Sequence, residues 1–191
     1  MKVAVRTTGR VVGCKQALLA GVLFVLSGVV FAQSQAPTGM ADQRARSVTQ
    51  VVLGILSYAR WPVEPAQLRL CIVGPTEYTD DLVKGTTQST GRPVTVQRLL
   101  AGNPAITSEC DAVYIGKLTQ EERGRLFASL TGRPVLSISE SDDQCAVGSL
   151  FCLRVSDDQV SFDVNLDSVA RSGVRIHPSV LQLSRRKPAA P

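Results

Sequence analysis

The sequence predicts an α/β fold: a single-domain sandwich with a mostly parallel central sheet, helices on both faces and a C-terminal hairpin. Two observations predict it. Four short apolar runs, LRLCIVG (68–74), PVTVQRLL (93–100), CDAVYIG (110–116) and PVLSISE (134–140), alternate with stretches of helical spacing or turn residues. Two further runs, LFCLRV and QVSFDV, flank S-D-D at 156–158, the pattern of a β-hairpin. No internal repeat and no linker divides the chain.

The N-terminus is read separately. Lys2, Arg6, Arg10 and Lys15 precede the apolar run 17–32, and Val30 and Ala32 are small residues at the two positions a signal peptidase inspects. The run is shorter than the ~20 residues a spanning helix needs. Residues 1–32 are therefore expected to be a cleaved signal peptide, with no membrane-spanning segment left after cleavage. Cys14 lies before the apolar run, which argues against a lipoprotein. The formal charge of +5 falls to near +1 without the four basic residues. With no basic stripe interleaved with aromatics, nucleic acid is not an expected partner.

Residues 33–41 are expected to be a flexible mature N-terminus, 42–185 the folded domain and 186–191 a loose tail. The first helix is expected over 42–60, from Val48, Val51, Val52, Ile55 and Ala59 at helical spacing, and it should stop before Pro62. A second helix is expected from about Tyr78. A third follows Thr119, where T-x-x-E reads as a capping box and Gly132 as the stop. After the hairpin come a short helix, an extended piece over 174–177 and a last helical turn or two.

Export bears on the cysteines. Cys71, Cys110, Cys145 and Cys152 form an even set in an oxidising compartment, which reads as two disulfides with three possible pairings. Pairing Cys71 with Cys110 and Cys145 with Cys152 is the economical choice, because neighbouring parallel strands would bring the first two together. Zinc fits poorly, since the spacings lack two close pairs and the chain has one histidine. A redox pair would more typically be C-x-x-C at a helix N-terminus.

Catalytic patterns are weak. His177 precedes Pro178, and no G-x-S-x-G elbow accompanies it. The acid pairs Asp80-Asp81, Asp142-Asp143 and Asp157-Asp158 fall at turns or helix starts, where Asp serves local hydrogen bonding. No catalytic residue, cofactor or metal is expected. The G-P-T-E loop after the first strand reads either as an anion-binding set of amides or as a helix cap. Arg175 and His177 share a face if 174–177 is extended, and could receive an anionic or aromatic small molecule or a partner's carboxylate; a solvated edge is the plain alternative. Trp61 reads as a buried anchor at a helix end or, if exposed, as a binding hot spot.

Taken in order, the helix ending in R-W-P, then LRLCIVGP, GRPVTVQRL, CDAVYIG, GRPVLSISE and VSFDVNLDSVARSGVRIHPSVLQLSR resemble the YfiR family, over about residues 44–185. The additional pair Cys145 and Cys152 is similar to that of the pseudomonad periplasmic members. The resemblance implies a periplasmic repressor, not an enzyme, that binds the sensor portion of an inner-membrane diguanylate cyclase, YfiN. It implies sequestration by an outer-membrane lipoprotein, YfiB, and control of cyclic di-GMP and biofilm. A regulator of a dimeric cyclase is itself a candidate homodimer. The competing readings are a periplasmic small-ligand sensing domain and a small secreted enzyme using an acid pair.

Overall fold

The computed structural model describes residues 36–88, 90–140, 145, 148–157 and 159–185; the expected signal peptide, residues 33–35 and the expected tail lie outside them. The first helix, α1 (Ala36–Ser57), begins six residues before the pattern indicates and ends three residues early. Its early start tolerates Pro37, because a first-turn residue has no intrahelical partner for its N–H. Val48, Val52, Ile55 and Leu56 form its buried stripe. Its early end has a tertiary cause: Ala59–Arg60 are taken as strand β1.

β2 (Leu68–Val73), β3 (Thr86–Thr87) and β4 (Pro93–Leu99) follow, then the short helix α2 (Ala105–Glu109) and β5 (Ala112–Ile115). Helix α3 (Gln120–Leu130) carries the expected capping box. The Thr119 hydroxyl accepts from the Glu122 N–H, and the Glu122 carboxylate accepts from the Thr119 N–H. β6 (Leu136–Ser139), the hairpin β7 (Phe151–Val155) and β8 (Val160–Val164), α4 (Leu166–Ser172) and β9 (Arg175–Ile176) complete the domain, ahead of a closing 3-10 segment, Pro178–Arg185.

The main sheet has the order β3-β4-β2-β5-β6-β7-β8. The five strands β4, β2, β5, β6 and β7 are parallel, while β3 and β8 pair antiparallel at the two edges. Side chains alternate between two cores, as the pleat requires. Leu70, Ile72, Ala112, Tyr114, Leu136 and Ile138 face α1 and the closing 3-10 segment. Cys71, Val73, Val113 and Ile115 face α2 and α3, packing with Ile106, Leu126 and Leu130. The α/β fold with helices on both faces is thus the one the sequence predicts.

The parallel strands, in chain order, run 2-1-3-4-5 across the sheet, so the chain reverses its winding between β2 and β5. Ligands of doubly wound sheets usually enter the crevice beyond the strand ends at that point. Here the two loops meet backbone to backbone. Gly116 N donates to Val73 O, and Lys117 N donates to Pro75 O at 2.8 Å.

The helix expected from Tyr78 is absent; a 3-10 turn, Leu82–Lys84, stands there instead. The reason is competition. The Glu140 carboxylate accepts from the N–H groups of Glu77 and Tyr78, at 2.6 and 2.8 Å. The Arg98 guanidinium donates to the hydroxyls of Thr76 and Thr79. The amides that a bound anion or a helix would use are already bonded to an internal carboxylate.

Glu140 is 5% exposed. Burial is the largest influence and raises its pKa, against the two backbone donors, which lower it. A carboxyl raised in the folded state contributes stability that is fully present below its unfolded value and is lost as pH rises through the folded value. Glu140→Gln keeps an acceptor and removes this dependence. Its melting temperature relative to wild type should therefore rise between pH 4 and pH 8. Glu140→Ala strands both amides and should cost about 1–3 kcal/mol. A Gln variant whose difference from wild type does not change with pH would show that the carboxylate is not buried in this way.

Candidate functional site

β1 and β9 form a separate two-stranded antiparallel ribbon, with Ala59 opposite Ile176 and Arg60 opposite Arg175. The His177 N–H extends the ladder by donating to Tyr58 O at 2.9 Å. Local sequence makes the ribbon possible. Gly173, at φ +72°, ends α4 in a left-handed conformation that a side chain would resist. Pro178 disfavours helix at His177, and Pro62 does the same at Trp61. Val174 is buried and anchors the strand start.

Directly opposed residues in an antiparallel pair share a face. Ala59, fully buried, and Ile176 turn to the core. Arg60 and Arg175 are therefore side by side on the other face, with Tyr58 and His177 next along it. The Tyr58 and His177 rings stack with centroids 6.2 Å apart. His177 Nδ1 accepts from the Ser179 N–H at 3.2 Å, so in the neutral ring the proton sits on Nε2 and points outward as a donor. One arm of Arg60 donates to Ser57 O and Ala59 O, which fixes the guanidinium along the ribbon. Among the described residues no carboxylate pairs with Arg60 or Arg175. The face is a small cationic surface backed by an aromatic stack, suited to a carboxylate or phosphate.

Arg175 and His177 thus stand on one face, and the structure adds Arg60 and Tyr58 to them. The periodicity hid these two, because 58–60 continues the helical pattern of α1. The signal available was Pro62, which loosens the helix end. Trp61 is withdrawn from the surface. It is 6% exposed, and its Nε1 donates to Asp111 O at 3.0 Å. It ties the ribbon to the start of β5, where Asp111 also binds the Arg69 guanidinium through both oxygens.

Of the acid pairs, the described members Asp80, Asp81 and Asp157 are exposed or held in ion pairs. Asp80 is exposed and Asp81 bonds weakly to Lys84 at 3.5 Å; Asp157 pairs with Arg44 at 3.3 Å. Asp142, Asp143 and Asp158 lie outside the described residues. No group of three or more potential metal ligands occurs among the described residues. Glu77 is exposed and paired with Lys117, which holds its carboxyl below the usual range.

Two disulfides brace the domain. Cys71–Cys110 joins β2 to the approach of β5 inside the second core, with Cα atoms 5.8 Å apart. Cys145–Cys152 closes the loop between β6 and β7. Asn165 links this loop to α4: its Nδ2 donates to Cys145 O, and its Oδ1 accepts from the Ser168 N–H as the helix cap. α4 in turn leads into β9 and the cationic face.

Among the described residues, then, a disulfide-braced α/β domain presents an exposed cationic face, an arrangement suited to binding an anionic group on a partner. The chain is a member of the YfiR/HmsC-like family, whose model matches residues 45–185. That family is periplasmic and regulatory, and acts in cyclic di-GMP signalling. No helix among the described residues is long and apolar enough to cross a membrane.

Proposed function

We propose that this protein is a periplasmic repressor that binds the sensor portion of an inner-membrane diguanylate cyclase of the YfiN type and holds it inactive. An outer-membrane lipoprotein of the YfiB type sequesters the repressor and frees the cyclase, so that cyclic di-GMP and biofilm formation rise. Cleavage after residue 32 delivers the domain to that compartment, where it acts as a homodimer. The observation that supports a partner-binding role is the face built by Arg60, Arg175 and His177, on which no carboxylate pairs with either arginine among the described residues. The mechanism is a population shift: the repressor binds the inactive cyclase more tightly than the active one, and a tenfold difference in affinity corresponds to about 1.4 kcal/mol.

Deletion of the gene should raise cellular cyclic di-GMP, and the wild-type gene should restore it. Arg60→Ala/Arg175→Ala should fold normally, since both side chains are exposed. It should fail to restore repression at equal abundance, and should bind the cyclase sensor domain at least about tenfold more weakly. No rise in the deletion strain would remove the repressor reading. A rise that the double variant reverses as well as wild type would move the contact elsewhere on the surface.

A small-ligand sensing role is the second reading. It is favoured by an apolar cleft of about 480 Å³ between α1 and the closing 3-10 segment, lined by Leu53, Gly54, Tyr58 and Leu183. Tyr58 belongs both to this cleft and to the cationic face.

A further inference from the structure

A second, smaller cleft lies between α3 and α4. Its walls come from four places: α3 (Phe127, Leu130), the entry to β6 (Val135), the end of the Cys145–Cys152 loop (Leu150) and α4 (Ser168, Arg171). Its volume is about 100 Å³, smaller than the ~150 Å³ cavity that admits benzene. The roof is held closely. Gly148, at φ +95°, lies so near the Phe127 ring that an added Cβ would come within 2.2 Å of it.

The polar groups here divide into occupied and available ones. The Ser137 hydroxyl accepts from the Leu150 N–H, and the Ser172 hydroxyl bonds to Val169 O and the Val174 N–H. Arg171 is exposed, lines the cleft, and has no hydrogen-bond or ion-pair partner among the described residues. Apolar side chains on several sides of the cleft, beside a guanidinium that is unpaired among the described residues, select a molecule that is apolar at one end and anionic at the other.

We propose that this cleft binds a short aliphatic monocarboxylate, its carboxylate on Arg171 and its alkyl chain against Phe127, Leu130, Val135 and Leu150. The size limits the chain to a few carbons, and the small contact area limits affinity to the millimolar range, on the order of −4 kcal/mol. Because the same cleft touches both the disulfide-closed loop and α4, occupancy stabilises the two together.

The mature chain is titrated with sodium butyrate, butan-1-ol and butylammonium chloride at matched ionic strength, following backbone amides by nuclear magnetic resonance. Butyrate should give saturable shifts at Gly148, Leu130 and Ser168. Butan-1-ol and Arg171→Met with butyrate should each be weaker by about tenfold, and butylammonium should not bind. Butyrate shifts no larger than those from sodium chloride would overturn the proposal. So would an Arg171→Met variant that binds butyrate within about twofold of wild type, since a charge-assisted contact would then be absent. Arg171 is exposed on α4, so this substitution leaves the fold intact.

Discussion

Replacing Cys71 and Cys110 together by Ala is expected to lower the stability of the domain by about 4 kcal/mol. The sequence separation of 39 residues sets this size, because the bridge removes the closure entropy of a long loop from the unfolded chain. Both cysteines are buried in the core between β2, β5 and α2, at 0% and 4% exposure. The native strands are already aligned by their own ladder, so the loss falls mainly on the unfolded state. Thermal unfolding of the oxidised double variant should show a midpoint lower by about 10 °C for a domain of this size. A drop of less than about 2 °C would mean that the unfolded chain keeps β2 and β5 close without the bridge. Cys145–Cys152 closes a much shorter loop, separation 7, and breaking it should cost roughly 2.5 kcal/mol.

Two glycines should respond in opposite directions to the same substitution. At Gly116 an added Cβ would lie 1.9 Å from the Pro75 carbonyl oxygen, a backbone atom with no rotamer to move. Gly116→Ala must therefore separate the loops after β2 and β5. That strains the Glu140 bonds to Glu77 and Tyr78 and the Lys117 N–H bond to Pro75 O. A loss of about 3 kcal/mol is expected, with faster hydrogen exchange at the Glu77 and Tyr78 amides. Gly124 lies exposed within α3 with nothing within 4 Å of an added Cβ. Gly124→Ala should stabilise by about 0.5–1 kcal/mol through helix propensity alone. Equal effects at the two positions would show that the switch-point loops are not in contact as described.

The elements readable from sequence were those whose signal is local. β2, β4, β5 and β6 follow from apolar runs of strand length bounded by Gly and Pro, and the start of α3 follows from the Thr119–Glu122 box, where side chain and backbone satisfy each other within one turn. The elements that were missed or misplaced are decided by distant partners. α1 ends at Ser57 because Ala59 and Arg60 pair with Ile176 and Arg175, a contact that helical periodicity in 48–59 conceals. Residues 78–85 carry enough helical character to suggest a helix, yet Glu140 captures the amides of Glu77 and Tyr78 and the turn stays short. In both cases a hydrogen-bond partner far along the chain outcompetes a local preference that is worth only tenths of a kcal/mol per residue.

The candidate site divides along the same line. Arg175 and His177 were legible, because two residues spaced by one in an extended segment before proline must share a face. Arg60 and Tyr58 were not, since nothing in 58–60 announces a strand. Sequence by itself determined the α/β class and the sharing of one face by Arg175 and His177, both of which depend on spacing along the chain. Tertiary structure alone decided that Arg60 stands beside Arg175, that Trp61 turns inward to Asp111, and that an internal carboxylate occupies the amides at the switch point. Those outcomes depend on which groups meet through space, and a buried backbone donor takes the strongest acceptor the fold brings to it.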